Sequence, residues 1–117
     1  MAVGRWREVA GATTAAILAA LFAVLAPVPI RAATPAGEQL FEKNDCVTCH
    51  AVDHHVVGPA IIDIAKKFAG QNDATSTLVD AIKNGHVGTW GTIPMPPDPS
   101  LSDAQIKEIV EWILSLK

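Results

Sequence analysis

Cys46-Val47-Thr48-Cys49-His50 is the stretch on which the reading of this 117-residue chain turns. In one turn of helix Cys46 and Cys49 lie three positions apart and Cys46 and His50 four, so two thiols and an imidazole project from the same side. That trio suits a porphyrin: each thiol can add across a vinyl group, and the imidazole that follows then stands under the iron. Cys-x-x-Cys-His reads as an attachment site for a c-type haem.

Other readings compete for the same residues. A thioredoxin-like dithiol also uses Cys-x-x-Cys, but that fold needs strands alternating with helices, and no convincing strand run occurs here. A structural zinc site takes four ligands from paired Cys or His clusters. Only two cysteines exist, and His54, His55 and His86 lack finger spacing. A plain disulfide is the third rival, and it leaves His50 without a role.

The N-terminal segment has the layout of a secretory signal peptide. Arg5 and Arg7 make a positive start, residues 15–26 are nearly all apolar, and Pro27 and Pro29 precede small residues at Ala32 and Ala33. Cleavage after Ala32 is preferred, because cleavage after Ala33 puts Arg31 at the minus-three position. An uncleaved anchor is the competing reading, since residues 9–30 are mostly apolar and about as long as a bilayer crossing requires. Either way the domain, residues 33–117, is exported, which places it in the periplasm.

Residues 33–117 hold six lysines and no arginine against four glutamates and seven aspartates, a net charge of −5. Such a surface excludes nucleic acid, which calls for a basic footprint, and suits a partner with a basic patch. A chain this short buries a modest core, so a large apolar cofactor at its centre completes the interior.

Helical periodicity accounts for most of the rest. Residues 37–44 read as a first helix with Leu40 and Phe41 inward. Residues 53–59 are irregular chain, with His54 and His55 in a solvated loop. Pro59 sits at the first position of the next helix, where Ile61, Ile64, Ala65 and Phe68 form an apolar stripe opposite Asp63, Lys66 and Lys67, and Gly70 ends it. Residues 76–84 form a third helix that buries Leu78, Ala81 and Ile82 and closes at Gly85.

Then the composition changes. Gly85, Gly88 and Gly91 are followed by Pro94, Pro96, Pro97 and Pro99, an ordered loop that is neither helix nor sheet. Met95 stands between prolines on this stiff loop. Core filling usually exploits methionine's flexibility, so a thioether brought to the open side of a haem iron explains Met95 better. A last helix begins at Ser102, with Gln105 completing a capping box and Leu101 and Ile106 a hydrophobic staple. Ile106, Ile109, Val110 and Ile113 make its buried stripe, widened by Trp112 and Leu116. It is expected to cross the first helix where Gly37 permits close approach and Phe41 meets Trp112.

The region from Gly37 onward resembles the short bacterial class I cytochromes c, the subgroup that donates electrons to respiratory nitrite reductases and oxidases. The likeness rests on the attachment motif together with Val57-Gly58-Pro59-Ala60, Lys67-Phe68-Ala69-Gly70, Ile82-Lys83-Asn84-Gly85, Trp90-Gly91-Thr92-Ile93-Pro94-Met95-Pro96-Pro97 and the Trp112 helix. It implies an all-α fold of four or five helices around one haem c, with thioethers at Cys46 and Cys49 and with His50 and Met95 as axial ligands. It also implies a hydrogen bond from the His50 ring to the Pro59 carbonyl and a Trp90 indole beside a propionate.

The implied function is one-electron transport between redox proteins by a monomer with no small-molecule substrate, feeding a respiratory reductase or terminal oxidase. Ala51, Val52, Val56, Val57 and the loop near Met95 are the candidate apolar rim around the exposed haem edge. A haem peroxidase or gas sensor is the alternative if Met95 is not a stable ligand. Two positions depart from the family pattern. Ala81 stands where members often carry a basic residue near a propionate, and Asp98 where an asparagine often reaches the methionine sulfur.

Overall fold

A computed structural model describes residues 33–116. The expected signal peptide over residues 1–32 lies outside them. Five helices follow one another, α1 (Ala36–Lys43), α2 (Cys46–Cys49), α3 (Ile61–Phe68), α4 (Ala74–Asn84) and α5 (Asp103–Ser115). Among the described residues there is no strand, only two isolated bridges, His50 with His55 and His86 with Met95. The all-α expectation therefore holds.

Helix α5 is the spine, packing against α1, α3 and α4. Its start is the capping box read from the sequence: the Gln105 amide donates to Ser102 Oγ at 3.3 Å, and the Ser102 amide donates to Gln105 Oε1 at 2.9 Å. Ile106, Ile109, Val110, Trp112 and Ile113 are buried, and Leu116 is half-buried against them. The crossing with α1 is as tight as Gly37 suggested. A β-carbon there would collide with the Glu108 carbonyl and stand 2.5 Å from Trp112 Cβ. Phe41 meets Trp112 with ring centroids 5.2 Å apart and planes tilted by 41°, an aromatic contact worth about 1 kcal/mol beyond its buried area.

Three helix starts differ from expectation: α1 begins at Ala36, one residue early, and α3 and α4 shift for visible reasons. Pro59 is not the first residue of α3; it precedes the N-cap Ala60, whose backbone is extended at φ −59°, ψ 140°. The cause is the neighbouring strand of loop. Ile61 and Ile62 donate their amides to the carbonyls of Ala51 and Val52, each at 3.0 Å, so the first orphan donors of α3 are satisfied from outside the helix. Helix α4 begins at Ala74, two residues early, because the Thr77 amide already bonds the Asp73 carbonyl at 2.9 Å. Both helices end as read, with Gly70 at φ +74° and Gly85 at φ +85°, the left-handed region glycine enters without a β-carbon clash.

Candidate cofactor site

Helix α2 is one turn long, and its bonding explains how a five-residue motif presents three reactive groups together. The His50 amide donates to the Cys46 carbonyl at 2.9 Å, closing a helical turn, and His50 itself then leaves in extended geometry. The two thiols are not bonded to each other and both are half-buried. Burial, then the Asp98 carboxylate and the adjacent Asp45, push the Cys46 thiol above its ordinary value, against a smaller opposing backbone hydrogen bond.

The His50 ring is held on two sides. Its Nδ1 lies 2.7 Å from the Pro59 carbonyl. A carbonyl only accepts, so Nδ1 carries the hydrogen and Nε2 keeps a lone pair for a metal. Gly58 leaves room for the same ring: a β-carbon there would collide with Cε1 and stand 2.8 Å from Nδ1 and 2.9 Å from Nε2. The loop carrying Gly58 is bound back to α2, whose Cys49 carbonyl accepts from Gly58 at 2.8 Å and from Val57 at 3.2 Å.

Met95 is fixed by its backbone. It exchanges both amide bonds with His86, at 2.8 and 3.0 Å, and Gly85 approaches so closely that a β-carbon would lie 2.8 Å from the Met95 carbonyl oxygen. Three residues on, the Asp98 amide donates to the Ile82 carbonyl at 3.0 Å, tying the loop to the last turn of α4.

These separate devices converge. Cys46, Cys49, His50, Pro59, Trp90 and Met95, all six residues singled out from the sequence, line one cavity of about 660 Å³. Its remaining walls are largely apolar, with Ile64 and Phe68 from α3 and Leu78 and Ile82 from α4. The volume is that of a cofactor pocket, and two thiols, one lone-pair imidazole nitrogen and one thioether form a donor set that fits a covalently held haem. The zinc reading does not fit, since no group of three or more His, Cys, Asp or Glu side chains among the described residues is placed to hold a metal. Ala81 and Phe68, read as core, are half-buried because they line this cavity.

Some contacts were not foreseen. Lys67, assigned to the solvent face of α3, places its ammonium 5.5 Å from the ring centroid of Trp90, a cation–π pair at the cavity rim. Trp90 itself is 39% exposed. Val52, Val56 and Val57 are exposed as expected, and so are Val47, Val87 and Ile93, the last 67% exposed; of these Val57, Val87 and Ile93 line the cavity. Ala51 is only half-exposed, its carbonyl taken by α3. His54 lies in the exposed loop with Nδ1 2.7 Å from Asp53 Oδ1.

Comparison with known proteins places these features in a series. Residues 35–117 match the family model for cytochrome c. Cytochrome c-552 of Nitrosomonas europaea is 50% identical over 82 residues, covering 70% of this chain and 80% of that protein. Cytochrome c-552 of Hydrogenobacter thermophilus is 44% identical over 96 residues, 82% of this chain and 97% of the relative. Cytochrome c-551 of Pseudomonas aeruginosa is 50% identical over 80 residues, 68% and 76% of the two chains. The crystal structure of wild-type Nitrosomonas europaea cytochrome c552 superposes with a TM-score of 0.66 at 50% identity, covering 68% of this chain and 99% of that one.

Proposed function

The chain belongs to the cytochrome c family and is an electron carrier with a single covalently attached haem c; on that footing we propose that Cys46 and Cys49 form the two thioethers and that His50 and Met95 are the axial ligands. The observation that carries this reading is the convergence of the four side chains on one apolar cavity. The bound group supplies a reversible one-electron iron couple, which imidazole and thioether together bias toward the reduced form.

The residues of the chain do the rest. Pro59 accepts from His50 Nδ1, setting the tautomer and raising the basicity of the remote nitrogen, while the absence of a side chain at Gly58 leaves the ring its space. The paired backbone of His86 and Met95 delivers the thioether on a loop that little can shift. With both side chains as ligands no coordination position is left for oxygen or peroxide, so the protein acts as a carrier and not as an enzyme. The peroxidase or gas-sensor alternative draws no support from the relatives named above. Trp90 offers an indole N–H to a propionate at the rim, and Lys67 adds positive charge beside it.

Its partners are redox proteins. Val57, Val87 and Ile93, exposed and lining the cavity, offer apolar surface for a small, transient contact of the kind redox encounters make. The acidic surface favours a partner with a basic face, as donor to a respiratory reductase or terminal oxidase, with the carrier working as a monomer in the periplasm after removal of residues 1–32. Among the described residues no helix is long and apolar enough to cross a membrane.

Absorption spectra of exported protein, oxidised and reduced, test the assignment together with a denaturing gel stained for haem. Retention of haem on the gel that is lost in the Cys46→Ala, Cys49→Ala double variant supports thioether attachment. Haem that washes out of the native protein on denaturation refutes it.

A further inference from the structure

Asp98 lies where the loop after Met95 returns to α4. It is half-buried and lines the cofactor cavity. Its backbone is tied by the 3.0 Å bond to the Ile82 carbonyl, and its side chain is fixed as well: Oδ1 accepts from the Ser100 amide at 2.9 Å and from Ser100 Oγ at 2.5 Å. These are the bonds of a short side-chain-to-backbone turn. They orient the carboxylate without cancelling its charge.

Nothing else described cancels it. The ion pairs among the described residues join Lys83 to Asp103 at 2.7 Å and Lys107 to Glu111, and His54 hydrogen-bonds Asp53. Lys83, the cation of α4 nearest in sequence, is thus engaged elsewhere. Asp98, Cys46 and Met95 line the same cavity. A half-buried charge on a cavity wall is screened less than one on the open surface.

We propose that Asp98 is a potential-setting residue, whose fixed carboxylate on the cavity wall stabilises the oxidised protein and lowers its reduction potential below that of the same site with a neutral side chain. The inference rests on the haem reading proposed above. Oxidation adds one positive charge to the site, and a carboxylate held close by favours that state by Coulomb attraction. It opposes the His50 and Met95 pair, which favours the reduced state. Asp98 acts through space, as a fixed charge and not as a ligand.

The experiment uses the full haem-loaded protein and compares it with Asp98→Ser, which keeps a short oxygen side chain for Ser100, removes the charge and avoids the amide that an asparagine here can direct at the methionine sulfur. Spectroelectrochemistry at pH 7 reads the ratio of oxidised to reduced protein at the native midpoint, where the native ratio is one. In Asp98→Ser that ratio falls about threefold or more, as loss of a unit charge across a partly solvated wall requires, with unchanged ligand bands. Ser100→Ala loosens the turn but keeps the charge, and moves the ratio by less than half as much. If Asp98→Ser does not accumulate, Asp98→Ala serves with the same expected fall. A ratio unmoved or raised in the charge-removing variant, or moved equally by Ser100→Ala, overturns the proposal while the intact ligand spectrum leaves the haem assignment standing. A native protein without a thioether-ligated spectrum overturns that assignment, and this inference with it.

Discussion

Replacing Gly58 by alanine should loosen the imidazole that the site is built on. The new methyl group would stand 2.8 Å from His50 Nδ1 and 2.9 Å from Nε2. The ring's Cε1 lies closer still, so to reach ordinary contact the ring must retreat by about 1 Å, a shift large enough to disturb the 2.7 Å bond between its Nδ1 and the Pro59 carbonyl. Overpacking of this kind costs about 1–3 kcal/mol, and weakening the hydrogen bond adds about 0.5–1.5 kcal/mol. One effect opposes both. Gly58 is not in the positive-φ region, so alanine also narrows the unfolded ensemble, which returns about 0.4–1 kcal/mol. The steric term wins, leaving a net loss of about 1–3 kcal/mol, or at least about 4 °C in the melting midpoint of a domain this size. Thermal unfolding of the loaded protein followed by circular dichroism measures the loss, and the paramagnetic shifts of the His50 ring protons report its displacement. A midpoint equal to or above the native one, with those shifts unchanged, refutes the idea that Gly58 positions the ring.

Gly37→Ala tests the helix crossing instead of the site: its methyl group meets the Glu108 carbonyl and Trp112 Cβ, backbone and stem that cannot swing away, so a destabilisation of about 1–3 kcal/mol is expected in chemical denaturation, with native ligand bands. Met95→Ala should abolish the thioether-ligated spectrum and open the iron to carbon monoxide, while haem stays on a denaturing gel; a ferric ligand field identical to the native one counts against Met95. The exposed Asp53 carboxyl sits below its ordinary 3.8, first because His54 hydrogen-bonds it. A carboxyl depressed by folding contributes stability that is present above its unfolded value and is lost as pH falls through the folded one. His54→Ala should therefore raise the Asp53 titration seen by NMR and alter acid stability only near and below that carboxylate range.

What could be read from residues alone follows the range over which each signal acts. The box at Ser102 and Gln105 and the stripe from Ile106 to Ile113 are contacts within a few positions of one helix, and α5 came out as its sequence indicated. Cys46, Cys49 and His50 are likewise neighbours on one turn. Pro59 misled because its preference for a first helical position is weak beside two amides of α3 already claimed by Ala51 and Val52, which only the folded loop supplies. The glycines carry longer-range information in a form that sequence does not decode. Gly58 beside a proline reads as a turn, yet its missing side chain is where the His50 ring rests. Lys67 over Trp90 and Asp98 on the cavity wall are farther still, placed by separate elements with no periodicity to announce them.

That ordering has a consequence for function. The proposed attachment cysteines and His50 come from one local motif, whereas Met95 is brought to the cavity by its backbone pairing with His86. The charges that modulate the site, Asp98 on the wall and Lys67 at the rim, are brought to the cavity by tertiary packing. A single substitution at either can change the electrostatics around the iron without touching helix, ligand or core. Differences in potential between chains of this fold should then track such wall and rim charges more closely than overall identity.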